Sequence, residues 1–111
     1  MTKIISEIGW NHMGDMILAK EMIDASKENG ADVVKFQTWS VSRLKPGPWD
    51  SDGRTEIYKK AELSKSKHED LISYSQKVGI DFLSSVFSVE DAELLSELGL
   101  NSVKIASFES R

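Results

Sequence analysis

Two lysines stand in stretches of sequence that otherwise predict buried strands. Lys104 lies within residues 102–106, and Lys35 lies in a similar apolar run. Each lysine comes five residues after a glycine, Gly99 or Gly30. An ammonium group in an apolar strand is costly unless it meets a negative charge. We therefore expect an anion to bind where these two strands end.

A third stretch repeats the pattern with serines in place of the lysine. Ser84 and Ser85 follow Gly79 at the matching positions, and Gln37 shares the face of Lys35 by the period of two. A carboxylate, Glu7, leads from the first predicted strand into a polar turn. In parallel α/β proteins, ligands bind at the carboxyl ends of the strands. The chain thus repeats a unit that builds a site.

Apolar periodicity, capping residues and glycines predict the order β-α-β-loop-α-β-α-β, which favours a parallel sheet with right-handed crossovers. The first half is predicted to hold a strand over residues 3–8, a helix from Asp15 to Gly30, a strand after Gly30 and an irregular stretch over about 40–63. The second half is predicted to hold a helix whose capping box begins at Ser66 and which ends at Gly79, and then a strand after Gly79. A helix from Ser88 to Gly99 and a strand over 102–106 follow. Lys20 and Asp24 are expected on the outer face of the first helix, at a spacing that favours a pair.

Two tryptophans in or beside the irregular stretch have two interpretations. Trp39 and Trp49 would either cover a ligand or pack the loop onto the outside of the sheet. Packing is the favoured interpretation. For His12, a hydrogen-bonding role in the polar turn is favoured over metal ligation.

Composition narrows the class of protein. The chain has 111 residues, which is one domain at most, and a formal net charge of −4 with no cysteine. A mixed, mildly acidic charge argues against nucleic acid as a partner. The sequence carries no apolar run of the length that a membrane span needs. We expect a cytoplasmic protein that binds neither nucleic acid nor membrane.

Four motifs resemble those of the sialic acid synthase family in the same order. They are EIGWNHMGD at residues 7–15, VKFQT at 34–38, FLSSVF at 82–87 and KIASFE at 104–109. That family includes the legionaminic and pseudaminic acid synthases and related spore-coat polysaccharide enzymes. The resemblance implies a TIM barrel, of which a chain this short would supply about half.

The resemblance also implies an activity, the condensation of phosphoenolpyruvate with an N-acylated hexosamine such as N-acetylmannosamine. The C3 carbon of phosphoenolpyruvate attacks the aldehyde of the open-chain sugar, water adds at C2, and phosphate leaves. The product is a nine-carbon 2-keto sugar acid. A ligand with phosphate and carboxylate groups needs several cations and hydroxyls.

Roles for seven residues follow from the resemblance. Lys35, Lys104 and Ser107 match positions that contact phosphoenolpyruvate, and Ser85 stands where a threonine is usual. Gln37 and Glu109 match positions that bind the amino sugar. Glu7 and Glu109 match carboxylates near the reacting centre, so both are candidate catalytic residues. A purely structural alternative remains, in which the lysines form ion pairs with Glu7 or Glu109, and Ser84 is expected only to pack.

The resemblance implies a divalent metal, manganese or magnesium, whose histidine ligands lie on later strands of the family's barrel. We therefore expect no metal ligands in this chain. Residues 1–111 are expected to be the N-terminal half of the barrel domain, without the later strands or the C-terminal antifreeze-like domain, and to form a homo-oligomer. Phe108 and Val86 replace a usual glycine and proline, so the identity of the sugar does not transfer.

Two other functions remain open at this point. The chain would be a non-catalytic anion-binding module with an open parallel sheet, or part of a phosphosugar aldolase-like barrel in which Lys104 forms a Schiff base. As a synthase fragment, it is expected to have little or no activity alone, because catalysis by positioning needs all the groups together.

Overall fold

The computed structural model describes residues 2–44, 47, 51, 53–100, 104 and 105, apart from the side chains of Arg43 and Ile105. Four strands form one parallel sheet in chain order, β1-β2-β3-β4. The strands are β1 (Ile5–Gly9), β2 (Val33–Thr38), β3 (Asp81–Val86) and β4 (Lys104–Ile105). The helices are α1 (Met16–Glu28), α2 (Arg54–Ala61), α3 (Lys65–Val78) and α4 (Val89–Glu97), with a 3₁₀ turn at Val41–Arg43. The predicted parallel α/β order is confirmed.

Strand order in the sheet bears on the architecture. A doubly wound sheet reverses its strand order at a switch point, whereas these four described strands do not reverse. Since crossovers between parallel strands are right-handed, a sheet in chain order receives its connecting helices on one face. That is the arrangement of a barrel wall.

The core lies between this helix-bearing face of the sheet and the first long helices. Val34 and Phe36 of β2 are fully buried, and they cluster with Ala19 and Ile23 of α1 and with Leu71 of α3. Phe36 also stacks on Phe82 of β3, with ring centroids 5.2 Å apart. Even-numbered residues of β2 therefore face the helices, which turns its odd-numbered residues to the other face.

Helix ends follow the capping chemistry in the sequence. The Asp15 carboxylate accepts hydrogen bonds from the backbone N–H groups of Ile17 and Leu18, as the predicted N-cap requires. The Ser88 hydroxyl accepts from the backbone N–H of Asp91 at 3.2 Å and begins α4.

Three of the predicted details are wrong, and the first two concern helices α3 and α2. The start of α3 is not a capping box at Ser66, because Ser64 caps the helix by accepting from the backbone N–H of Lys67 at 3.2 Å. The stretch predicted to be irregular contains α2, whose mean hydropathy is too low to show a clear apolar stripe in the sequence. Tertiary contacts hold α2 in place instead: the indole N–H of Trp39 donates to the carbonyl of Tyr58 at 3.1 Å.

The predicted pairing of Lys20 with Asp24 also fails. Lys20 instead forms an ion pair with Asp70 of α3 at 3.0 Å, and Asp24 accepts a hydrogen bond from the Tyr74 hydroxyl at 2.8 Å. Lys20 and Asp24 therefore each join α1 to α3, rather than pairing with each other within α1.

Gly14 provides a test of how closely α2 approaches the loop after β1. Its φ is +83°, and a Cβ there would overlap the backbone carbonyl of Lys60, whereas Gly30 has a φ of +90° with open space around it. We predict that Gly30→Ala costs about 1–2 kcal/mol for the left-handed backbone. Gly14→Ala should cost a further ~1–3 kcal/mol for the overlap. Denaturant unfolding of both variants measures the difference, and equal losses would contradict this packing.

Candidate active site

Sheet register brings the predicted site residues onto one face. Glu7 pairs with Lys35, Gln37 pairs with Ser85, and Ser85 pairs with Lys104. Partners in register project to the same side of a sheet. All five side chains therefore belong to the face opposite the apolar core, in two successive rows near the carboxyl ends of the strands.

An ion pair joins the first row. The Lys35 ammonium lies 2.8 Å from the Glu7 carboxylate oxygen Oε1. The Lys35 side chain is only 13 % exposed, whereas that of Glu7 is 50 % exposed. This is the pairing that the structural alternative foresees for Lys35. It also meets the requirement that a mostly buried ammonium have a negative partner, while the carboxylate stays open to solvent.

Gly9 lies beside both the carboxylate of the first row and the amide of the second. A Cβ on Gly9 would lie 3.8 Å from Oε2 of Glu7 and 3.9 Å from the side-chain carbonyl oxygen of Gln37. The register between β1 and β2 shifts between Glu7 and Gly9. Such an irregularity at the end of a strand re-aims the neighbouring side chains, and here both Glu7 and Gln37 lie near a residue without a side chain.

The second row combines a buried hydroxyl with an exposed cation. Ser85 is 3 % exposed, and Lys104 is exposed at the described end of the sheet. Ser107 and Glu109, the other predicted site residues, lie outside the described residues, as does Trp49. The roles of all seven predicted site residues stay predictions.

Beneath the second row lies a chain of buried hydroxyls that ends on a histidine. Thr38 Oγ1 is 2.6 Å from Ser84 Oγ and 2.8 Å from His68 Nε2, while His68 Nδ1 is 2.8 Å from the carbonyl oxygen of Ser64. Ser84 therefore packs and hydrogen-bonds on the helix side, which matches its predicted role. Thr38 and His68 were not predicted. A signal was present for Thr38, since it directly follows Gln37 and must project to the opposite face.

Burial favours the neutral form of both histidines. Burial lowers the pKa of His68, although the Ser64 carbonyl and the Asp91 carboxylate oppose the shift. Burial is also the main cause that lowers the pKa of His12, with smaller effects of the same sign from Lys67 and His68. His12 Nδ1 accepts from the backbone N–H of Gly14 at 2.9 Å, which is the hydrogen-bonding role predicted for it.

Aromatic side chains line the same end of the sheet. The ring of Trp39, which follows β2, meets Tyr58 of α2 and Phe87 after β3 edge to face, with centroids 5.9 and 5.7 Å apart. Trp39 is 5 % exposed. It therefore packs α2 against the strand ends, as the packing interpretation predicted for this residue.

The described part of the chain does not fit a metal centre. It contains no group of three or more histidine, cysteine, aspartate or glutamate side chains that would hold an ion. Three of the four ring nitrogens of His12 and His68 are hydrogen-bonded, and the fourth, His12 Nε2, is fully buried.

None of the helices in the described segments has the length and apolarity to span a membrane.

Residues 22–111 match the profile of the NeuB family. The chain belongs to the NeuB family. It is 38% identical to the N,N'-diacetyllegionaminic acid synthase of Campylobacter jejuni over 97% of this chain and 36% of that protein. It is 39% identical to the pseudaminic acid synthase of Helicobacter pylori over 96% of this chain and 35% of that protein. It is 37% identical to the mouse N-acetylneuraminate-9-phosphate synthase over 94% of this chain and 32% of that protein.

Solved structures agree on the fold. The N-acetylneuraminic acid synthetase of Leptospira borgpetersenii superposes with a TM-score of 0.82 at 33% identity, covering 96% of this chain and 36% of that one. These similarities confirm the predicted fold class and the resemblance to sugar-acid synthases. This NeuB chain spans about a third of the length of the relatives it matches.

The lowered histidine pKa values predict how the stability of this NeuB chain depends on pH. Unfolded histidines take up protons as the pH falls through about 6.5, but His12 and His68 resist protonation in the fold. The free energy of unfolding should therefore be level just above about pH 6.5 and fall below it, until the folded histidines also protonate. NMR titration of each imidazole ring measures the pKa of His12 and of His68 in the folded chain. Midpoints at or above about 6.5 would contradict the burial argument.

Proposed function

We propose that this chain carries the phosphoenolpyruvate side of a sugar-acid synthase site. The reaction would condense phosphoenolpyruvate with an N-acylated hexosamine, such as N-acetylmannosamine, to a nine-carbon 2-keto sugar acid, with release of phosphate. The observation that carries the proposal is the mostly buried Lys35, held by Glu7 on the polar face of a parallel sheet beside Gln37, Ser85 and Lys104. The named activities of the synthases that it resembles point to the same chemistry.

Charge supports the assignment of the phosphoenolpyruvate subsite. Phosphoenolpyruvate carries a phosphate and a carboxylate, and Lys35 and Lys104 stand in adjacent rows of one face. Charge-assisted hydrogen bonds to such groups are the strong ones. The Ser85 hydroxyl is placed between these strands, and Ser107 would add a second hydroxyl after β4. We assign these four residues to phosphoenolpyruvate.

The sugar side of the site follows from the position of Glu7. One oxygen of its carboxylate pairs with Lys35, and the other lies toward Gly9 and Gln37. Glu7 would thus stand between the bound phosphoenolpyruvate and the amino sugar, where a carboxylate binds a hydroxyl or moves a proton as the C–C bond forms. Gln37 and Glu109 would bind the sugar, with Glu109 also near the reacting carbons.

Catalysis would need more than this chain. We propose that residues 1–111 form the first half of a TIM-barrel synthase domain, and that later strands supply the ligands of a divalent manganese or magnesium ion. A metal of that kind polarises an aldehyde, which lysines do not replace. We also propose that the whole synthase is a homo-oligomer, and that this chain alone has little or no activity.

A ligand titration tests the proposed subsite. Adding phosphoenolpyruvate to isotope-labelled protein should shift the proton–nitrogen resonances of Lys35, Gln37, Ser85 and Lys104. Replacing Lys35 with methionine should weaken binding by about tenfold to about a hundredfold, the equivalent of a lost charge-assisted hydrogen bond.

The matched control removes an equal charge elsewhere. Lys77 lies in the last turn of α3, where the chain turns back toward the start of β3, and its side chain is exposed. The Lys77→Met variant should bind phosphoenolpyruvate like the unmodified chain. Folded protein whose site resonances ignore the ligand, or equal losses in the two variants, would overturn the proposal.

A further inference from the structure

The buried chain of His68, Thr38 and Ser84 lies directly behind two residues of the candidate site. Thr38 follows Gln37 in β2, and Ser84 precedes Ser85 in β3. All three side chains of the buried chain are at most 1 % exposed. Their chain neighbours Gln37 and Ser85, which pair with each other in register, project to the other face of the same two strand ends.

Hydrogen-bond chemistry sets the direction of the buried chain. The Ser64 carbonyl oxygen only accepts, so His68 Nδ1 must carry the proton that bonds to it at 2.8 Å. In a neutral imidazole, Nε2 is then an acceptor, and Thr38 must donate its hydroxyl proton to it. The Thr38 oxygen is left to accept the proton of the Ser84 hydroxyl, 2.6 Å away. The carbonyl oxygen of Ser85, 3.3 Å from Ser84 Oγ, is a second and longer acceptor for the same Ser84 proton.

This order couples three elements of the fold. The hydroxyl pair joins β2 to β3 at their carboxyl ends, and the imidazole joins both strands to Ser64, the N-cap of α3. Fully satisfied buried networks rigidify the structure around them. Adjacent residues share the strand backbone, so a network that holds this backbone in place also sets where the Gln37 and Ser85 side chains leave it.

We propose that His68, Thr38 and Ser84 are positioning residues that hold Gln37 and Ser85 in the geometry the ligand requires. The inference rests on the proposed function for the ligand, phosphoenolpyruvate, but its structural part concerns this chain alone. None of the three side chains touches the ligand. They act through the backbone of β2 and β3.

A conservative pair of variants separates positioning from simple packing. Thr38→Val keeps the shape of the side chain but removes the hydroxyl, whereas Thr38→Ser keeps the hydroxyl and removes a methyl group. We expect Thr38→Val to weaken phosphoenolpyruvate binding about tenfold and to shift the side-chain amide of Gln37 and the backbone amide of Ser85. It should also change the nitrogen resonance of His68 Nε2, which loses its donor. Thr38→Ser should restore all three signals.

Ser75→Ala is the matched control. Ser75 is fully buried in α3, and its hydroxyl bonds to the Leu71 carbonyl at 2.8 Å, away from the buried chain. This variant should lose stability without a change in ligand affinity or in the Gln37 and Ser85 resonances. If Thr38→Val does not fold, Ser84→Ala removes only the last donor of the buried chain. It should shift the Gln37 side-chain amide in the same way but leave His68 Nε2 with its Thr38 donor.

The outcomes distinguish the two proposals. If the unmodified chain binds no phosphoenolpyruvate, the proposed function fails, and the resonances of the free protein alone decide the positioning role. Unchanged Gln37 and Ser85 resonances in folded Thr38→Val would overturn the positioning role. So would a loss of affinity in Thr38→Ser or Ser75→Ala equal to that in Thr38→Val.

Discussion

Burial of Val34 and Phe36 against α1 and α3 is the constraint on which the site depends. Side chains alternate along a strand, so a slip of one residue would turn every odd position of β2 toward the helices. Such a slip would bury Lys35 and Gln37 in apolar surroundings and expose two large apolar side chains. The apolar core therefore selects the register, and the register places Lys35, Gln37 and their partners on the polar face.

An ion pair between Lys35 and Glu7 fixes two charged groups on the polar face of the sheet. Lys35 is too enclosed to be left without a negative partner, and Glu7 supplies one without being buried itself. A pair of this kind adds little net stability, because desolvation offsets much of the attraction. Its effect is to fix the positions of two charged groups. The Glu7 carboxylate remains open to solvent, while the Lys35 ammonium is mostly buried.

Polar groups on the helix side support the same strand ends. His68, Thr38 and Ser84 form a buried network whose members are all hydrogen-bonded. Apolar residues at these positions would pack equally well, but they would not join α3 to both strands with a defined direction. The strand ends behind the candidate site are thus tied to α3. Loss of one hydroxyl there leaves a buried partner unsatisfied, which costs more than the bond itself contributes.

Much of this arrangement follows from local sequence, for physical reasons that act over a few residues. Periodicity and capping predicted the parallel order of elements, because an apolar stripe, an N-cap such as Asp15 or Ser88, and an end glycine such as Gly79 are short-range signals. The period of two put Gln37 beside Lys35. The resemblance in four motifs indicated the sialic acid synthase family, and the chain does belong to the NeuB family.

Other features depend on contacts between distant parts of the chain, and only the tertiary structure decided them. Helix α2 has too little apolar character to be recognised alone, and it is held by Trp39, which lies before it in sequence. Lys20 pairs across to Asp70 because α3 brings a carboxylate nearer than the local partner. His68 meets Thr38 across 30 residues of sequence. Sequence by itself determined which residues could form strands, caps and a charged site, while long-range packing decided which of them meet.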